Sequence, residues 1–236
     1  MYESNTNLRI ALVVLVFALA LGLIYFSPQP EPPKAETVRV TIPEGFTVRQ
    51  IAERLEAEGL FPAADFMKLA SADEGFLFPD TYEFFRTTAP ERVILKMKDN
   101  FSKKVGAEVS RDVIIMASLL EEEAKTPEDK KIVAGILWKR LESGAALRVD
   151  ATLTYITGRP SRELTDGDLK INSPYNTYRY PGLPAGPISN PGLETIDSAL
   201  HPAPSPYWFY LSDKDGKLHY ARTFEEHKAN RLKYLQ

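Results

Sequence analysis

Three consecutive glutamates, Glu121, Glu122 and Glu123, have the clearest capacity for chemistry in this 236-residue sequence. An acidic run is ordinarily a solvated helix face. Here the run closes an apolar-periodic segment that follows Ser110, and helical pitch separates the three side chains. With Val113 set at zero, Met116, Leu119 and Leu120 project at about 300°, 240° and 340°, and Glu123 falls among them at about 280°. Glu122 points to the opposite side at about 180°, and Glu121 lies at the edge beside Ile114 and Ala117. If the helix stays regular through Ala124, Glu123 is desolvated, which disfavours its charged form and raises its pKa. A carboxyl group still protonated near neutrality can serve as a general acid toward a weakly basic oxygen, such as that of a glycosidic bond.

Other chemistries lack their residues. With no cysteine there are no disulfides, thiolate nucleophiles or Cys-based zinc sites. His201, His219 and His227 do not form the H-x-x-x-H spacing of a zinc protease, so no metal is expected. Ser189 sits in no G-x-S-x-G elbow, and neither a P-loop nor G-x-G-x-x-G occurs, so no cofactor is expected. A net charge of −3 argues against nucleic acid as a partner. The stretches Asn172–Tyr178, Gly182–Gly192 and His201–Trp208 combine Pro and Gly with Tyr, Asn and Trp. Their flat apolar faces edged with hydrogen-bonding groups suit sugar rings, and they equally suit an ordered loop packed for stability.

Several elements must position these groups. Thr47 with Gln50 forms a capping box for a helix bearing Ile51, Ala52 and Leu55, preceded by an alternating strand, VRVTIP, and followed by a short helix over 63–70. A loop containing Phe76 to Tyr82 follows, then a helix over 90–104, one from Arg111 to about Lys125, and one starting at Thr126-Pro127 and ending near Glu142. Beyond it the chain reads as loop to about Gly192. A hairpin is then expected, with strands 207–211 and 217–221 around Asp213–Gly216, and a final helix over 224–235.

At the N-terminus, 10–26 is an uninterrupted apolar run at the short end of what spans a bilayer. Ala18-Leu-Ala20 resembles a signal-peptide cleavage motif, but the run continues past it, which favours an uncleaved anchor. On either reading the remainder is exported. Residues 1–9 are expected in the cytoplasm, and the proline-rich 27–37 reads as a linker.

Taken together, Glu74–Tyr82, Met116–Glu123, Leu147–Asp150 with Thr152 and Tyr155, Ser173–Tyr178, Gly182–Gly186 with Ile188, and Ala199–Pro202 resemble the MltG/YceG-like endolytic transglycosylases in order and spacing. The resemblance implies an α+β fold: an N-terminal transmembrane helix, a small LysM-like module over 38–72, and a mainly helical catalytic domain over 73–236. It implies endolytic cleavage of the β-1,4 bond between N-acetylmuramic acid and N-acetylglucosamine, leaving 1,6-anhydro ends. Glu123 would be the catalytic acid/base and Glu121 its support, with Asp150, Tyr175, Asn176 and Tyr178 lining the glycan groove. Where relatives often carry proline after the aspartate, this chain has Ala151. Partners implied are peptidoglycan strands, the membrane and, as a further candidate, a cell-wall synthase. A non-catalytic peptidoglycan-binding scaffold and a hydrolase that uses water are the competing readings.

Overall fold

The computed structural model describes residues 3–25, 36–106 and 108–235, in two units, residues 1–36 and 37–236. In the first unit, α1 (Glu3–Tyr25) is a 23-residue helix. Leu12 to Phe17, Leu19 and Leu21 are exposed on all its faces. Among the described residues no helix is long and apolar enough to cross a membrane. The linker expected over 27–37 lies outside the described residues up to position 35.

The second unit begins with β1 (Thr37–Thr41). A turn at Pro43-Glu44-Gly45 leads into α2 (Val48–Ala57), where the capping box forms as expected: Gln50 N–H bonds to the Thr47 hydroxyl, and the Gln50 side chain accepts from Thr47 N–H at 2.8 Å. α3 (Ala63–Ala70) buries Phe66 and Ala70. The chain then returns as β2 (Thr81–Phe85), antiparallel to β1 with Val40 opposite Tyr82. α4 (Pro90–Val105) completes the layer, and one core gathers Val40, Ile51, Leu55, Phe66, Tyr82, Phe84, Val93 and Met97.

One expectation needs correction here. The segment read as a loop through Tyr82 leads directly into a strand, because Tyr82 and Phe84 alternate inward onto this core. The core assembled by these elements draws on residues from both sides of position 72. β1 needs β2 as its hydrogen-bonding partner, so the strand that closes the module lies beyond residue 72.

A second core forms around α5 (Arg111–Glu123), whose Ile114, Met116, Ala117, Leu119 and Leu120 are fully buried. Phe101, one turn past Met97 on α4, belongs to this second core, so α4 takes part in both. Ser110 caps α5, and Thr126 caps α6 (Pro127–Glu142). α5 stops at Glu123 rather than near Lys125, since Ala124 is extended (φ −141°, ψ 142°). The span expected to be loop contains α7 (Asp150–Thr157), and α8 (Leu193–Leu200) follows it. The hairpin β3 (Phe209–Ser212) and β4 (Leu218–Ala221) and the closing helix α9 (Phe224–Tyr234) lie where the sequence placed them. The whole is a mixed helix-and-sheet fold in which helix dominates.

Gly75 is a tight joint between the two cores. Its φ is +87°, and a β-carbon there would lie 2.5 Å from Pro187 Cγ and 3.0 Å from Ile114 Cγ2. Gly75→Ala combines left-handed strain with overpacking and is expected to destabilise the chain by about 2–3 kcal/mol, read as a lowered midpoint in urea denaturation.

Candidate active site

The three glutamates at the end of α5 have three different surroundings. Glu121 is paired inside the fold: Lys130 Nζ of α6 lies 3.0 Å from its Oε1, and Gly192 N–H donates to its Oε2 at 2.8 Å. Lys130 also donates to Thr195 Oγ1 of α8 at 2.6 Å, and its side chain is 5% exposed. Ser118, one turn earlier, accepts from Ile188 N–H at 3.0 Å. The same face of α5 therefore fixes the 188–192 loop. Glu122 is exposed and does not point away as expected: its carboxylate closes over Gly45 and faces the same groove as Glu123.

Glu123 is the last helical residue and is half-buried. The Tyr210 phenol of β3 and the Ala151 N–H of α7 donate to its carboxylate. Burial first, then the negative charge of Asp150, push its pKa up to about 7, and the two donors only partly oppose them. The C-terminal end of a helix also disfavours negative charge. The desolvation inferred from the helix projection is therefore present. Met116, Leu119 and Leu120 belong to the core beneath, whereas the carboxyl group itself meets polar donors. Arg140 of α6 braces this corner, donating to Trp208 O at 2.9 and 2.5 Å and to Leu147 O at 2.6 Å.

Asp150, at the start of α7, accepts from the Tyr178 hydroxyl and lies close enough to Glu123 to raise its pKa. The loop before α7 is held by Thr177, whose hydroxyl accepts from Val149 N–H at 3.0 Å and whose carbonyl accepts from Arg148 N–H at 3.1 Å. Tyr175 lines the groove, its ring 5.1 Å from that of Tyr155. Asn176 does not line it. It is 1% exposed, donates to Leu169 O and Ile171 O, and accepts from Tyr178 N–H and Arg179 N–H, so its amide is consumed in shaping the loop.

The groove has a volume of about 760 Å³ and runs past Glu123, Ala151, Tyr155 and Tyr175 to Thr47, Val48 and Met67 of the first core's helices. Its other wall holds Glu74, a second buried carboxylate that burial pushes up to about 7. Sequence reading missed the roles of Glu74, Tyr210, Lys130 and Arg140. Glu74 opens a quoted motif, but nothing in that motif marks it as facing the groove, and the other three carry no local signal. Among the described residues no cluster of three or more acidic or histidine side chains could hold a metal ion.

The profile of the YceG-like family matches residues 25–233. An endolytic murein transglycosylase of Bacillus subtilis is 34% identical over 172 residues, covering 69% of this chain and 48% of the relative. One from Streptococcus pneumoniae is 28% identical over 248 residues, covering 85% and 45%. The chain thus spans about half the length of these relatives. A crystal structure of a YceG-like protein from Listeria monocytogenes superposes with a TM-score of 0.72 at 31% identity, over 81% of this chain and 75% of that one.

Two carboxyl groups held near 7 give the fold more bound protons than the unfolded chain between their ordinary value of 4.5 and about 7. The stability they carry is complete below about pH 4.5 and lost as pH rises through about 7. The melting temperature is therefore expected to fall from pH 5 to pH 7.5, and to fall less in Glu123→Gln. In Ala151→Pro, the first turn of α7 tolerates the ring but loses the N–H aimed at Glu123. Its carboxyl titration, followed by NMR, should move above the parent midpoint.

Proposed function

The chain belongs to the YceG-like family, and on that premise we propose that it is an endolytic murein transglycosylase with Glu123 as its single acid/base. The observation that carries this reading is a carboxyl group poised to hold a proton up to about pH 7 on the wall of a groove large enough for several sugar rings. The protonated Glu123 gives its proton to the oxygen linking muramoyl C1 to the next sugar. As that bond breaks, the muramoyl C6 hydroxyl attacks C1 and returns its proton to Glu123, closing a 1,6-anhydro ring without consuming water. Ring closure within one sugar gains from positioning, and Tyr155 and Tyr175 offer apolar faces with hydroxyl edges for that purpose. Glu121 acts only by holding α5 and the 188–192 loop.

The strand-helix-helix-strand unit closed by β2 fits the LysM-like part of the reading, and its helices wall the groove. The all-round apolar exposure of α1 favours a single-pass anchor with the body outside the cytoplasm, where glycan strands and a cell-wall synthase would be met. Asp150 favours one second reading, a hydrolase, since a carboxylate beside the acid could activate water.

Mass spectrometry of purified glycan strands digested by the full chain in detergent, beside Glu123→Gln, separates these. Anhydromuramoyl ends from the parent alone are expected. Reducing ends would establish the hydrolase instead, and binding without cleavage would establish the scaffold. Cleavage should decline above about pH 7 as Glu123 loses its proton.

A further inference from the structure

Glu74 lies between α3 and β2, 8% exposed, and lines the groove. Val48 N–H at the start of α2 donates to both its oxygens, at 3.0 and 3.2 Å. Asn190 Nδ2, from the loop before α8, donates to Oε1 at 2.9 Å, and the Tyr155 hydroxyl of α7 donates to Oε2 at 3.4 Å. Asn190 also bonds to Phe46 O at 2.9 Å and accepts from Leu77 N–H at 2.9 Å, so it cannot move independently of its neighbours. One carboxylate thus connects three segments, two of which, at Val48 and Tyr155, line the groove together with Glu123.

We infer that Glu74 is a positioning residue for glycan cleavage, acting through Tyr155 to set the angle at which the scissile oxygen meets Glu123. This rests on the glycan-cleaving reading above. All three partners are placed to donate to this carboxyl group, Val48 N–H and Asn190 Nδ2 at 2.9–3.2 Å and the Tyr155 hydroxyl at 3.4 Å. The Tyr155 hydroxyl is thereby held between Glu74 and Tyr175 at the groove, with its orientation toward a sugar hydroxyl fixed. Its ring is held against Tyr175, 5.1 Å between centroids and tilted by 41°, so that little rotational freedom remains. Without Glu74 the hydroxyl would keep only Tyr175 as its partner, and the pair of rings would lose one of the two points that fix its pitch. Misplacement of a reacting bond by about 1 Å costs on the order of a hundredfold in rate, and loosening one hydroxyl should cost less.

The test is a double-mutant cycle on the full chain, with kcat and KM measured on purified glycan strands for Glu74→Gln, Tyr155→Phe and the pair. Glu74→Gln keeps the volume but replaces one accepting oxygen with an amide nitrogen. Each single variant is expected to lower kcat about tenfold with KM changed less than about twofold, and the double variant to lose no more than either alone, as for residues acting as one unit. Melting temperatures within a few degrees of the parent would separate this from a structural defect. Should Glu74→Gln melt far lower, Glu74→Asp, which keeps the charge but withdraws it from Tyr155, takes its place in the cycle. Losses that multiply, or parent kcat in the Glu74 variant, would overturn the inference alone. A parent chain that cleaves no glycan would overturn the underlying reading and this inference with it.

Discussion

Lys130 is where the fold and the candidate site become one problem. Its ammonium lies out of water between Glu121 and Thr195, and joins the last turn of α5 to the first turn of α6 and to α8. Desolvating such a pair is costly, and removing either partner leaves an uncompensated buried charge. The pair therefore fixes geometry whatever its net contribution to stability. Because Glu121 also receives Gly192 N–H, the loop that carries Asn190 is set by the same contact, and through Asn190 so is the Phe46 turn that leads into α2. The end of α5, the groove wall formed by α2 and the acid between them are consequently placed by one short chain of polar contacts.

Much of this scaffold was legible where the information is local. The capping residues Thr47, Ser110, Thr126 and the hairpin around Asp213–Gly216 each act within a few residues, and the elements they start or turn are found in place. β2 was not legible, because its alternation gains meaning only from β1, forty residues earlier. α7 starts after Val149, which has no capping side chain, and ends at Gly158 in the left-handed region, so a proline- and glycine-rich setting disguised eight residues of helix.

At the site, helical phase was enough to single out Glu123 but not to describe its surroundings. Tyr210 and Ala151, which donate to it, come from segments 87 and 28 residues later, and no spacing rule connects them to α5. Glu122 turned toward the groove because Gly45 leaves room above it, a tertiary effect that a helical projection cannot contain. Asn176 has the composition of a sugar-binding residue, yet its side chain satisfies four backbone groups of its own loop. Polar residues in irregular segments often serve the backbone before they serve a ligand.

The arrangement of α5 also bears on how such a sequence can change length. Glu121, Glu122 and Glu123 are chemically identical and differently surrounded, and only the count of residues from the Ser110 cap and the halt at Ala124 assigns each its place. Inserting or deleting one residue within the helix would turn the run by about 100° and pass each glutamate's surroundings to its neighbour, while the composition of the run stayed the same. A change of length outside the two ends of the helix leaves these places intact, whereas an alignment that slides a gap into the acidic run would pair residues that share a letter but not an environment.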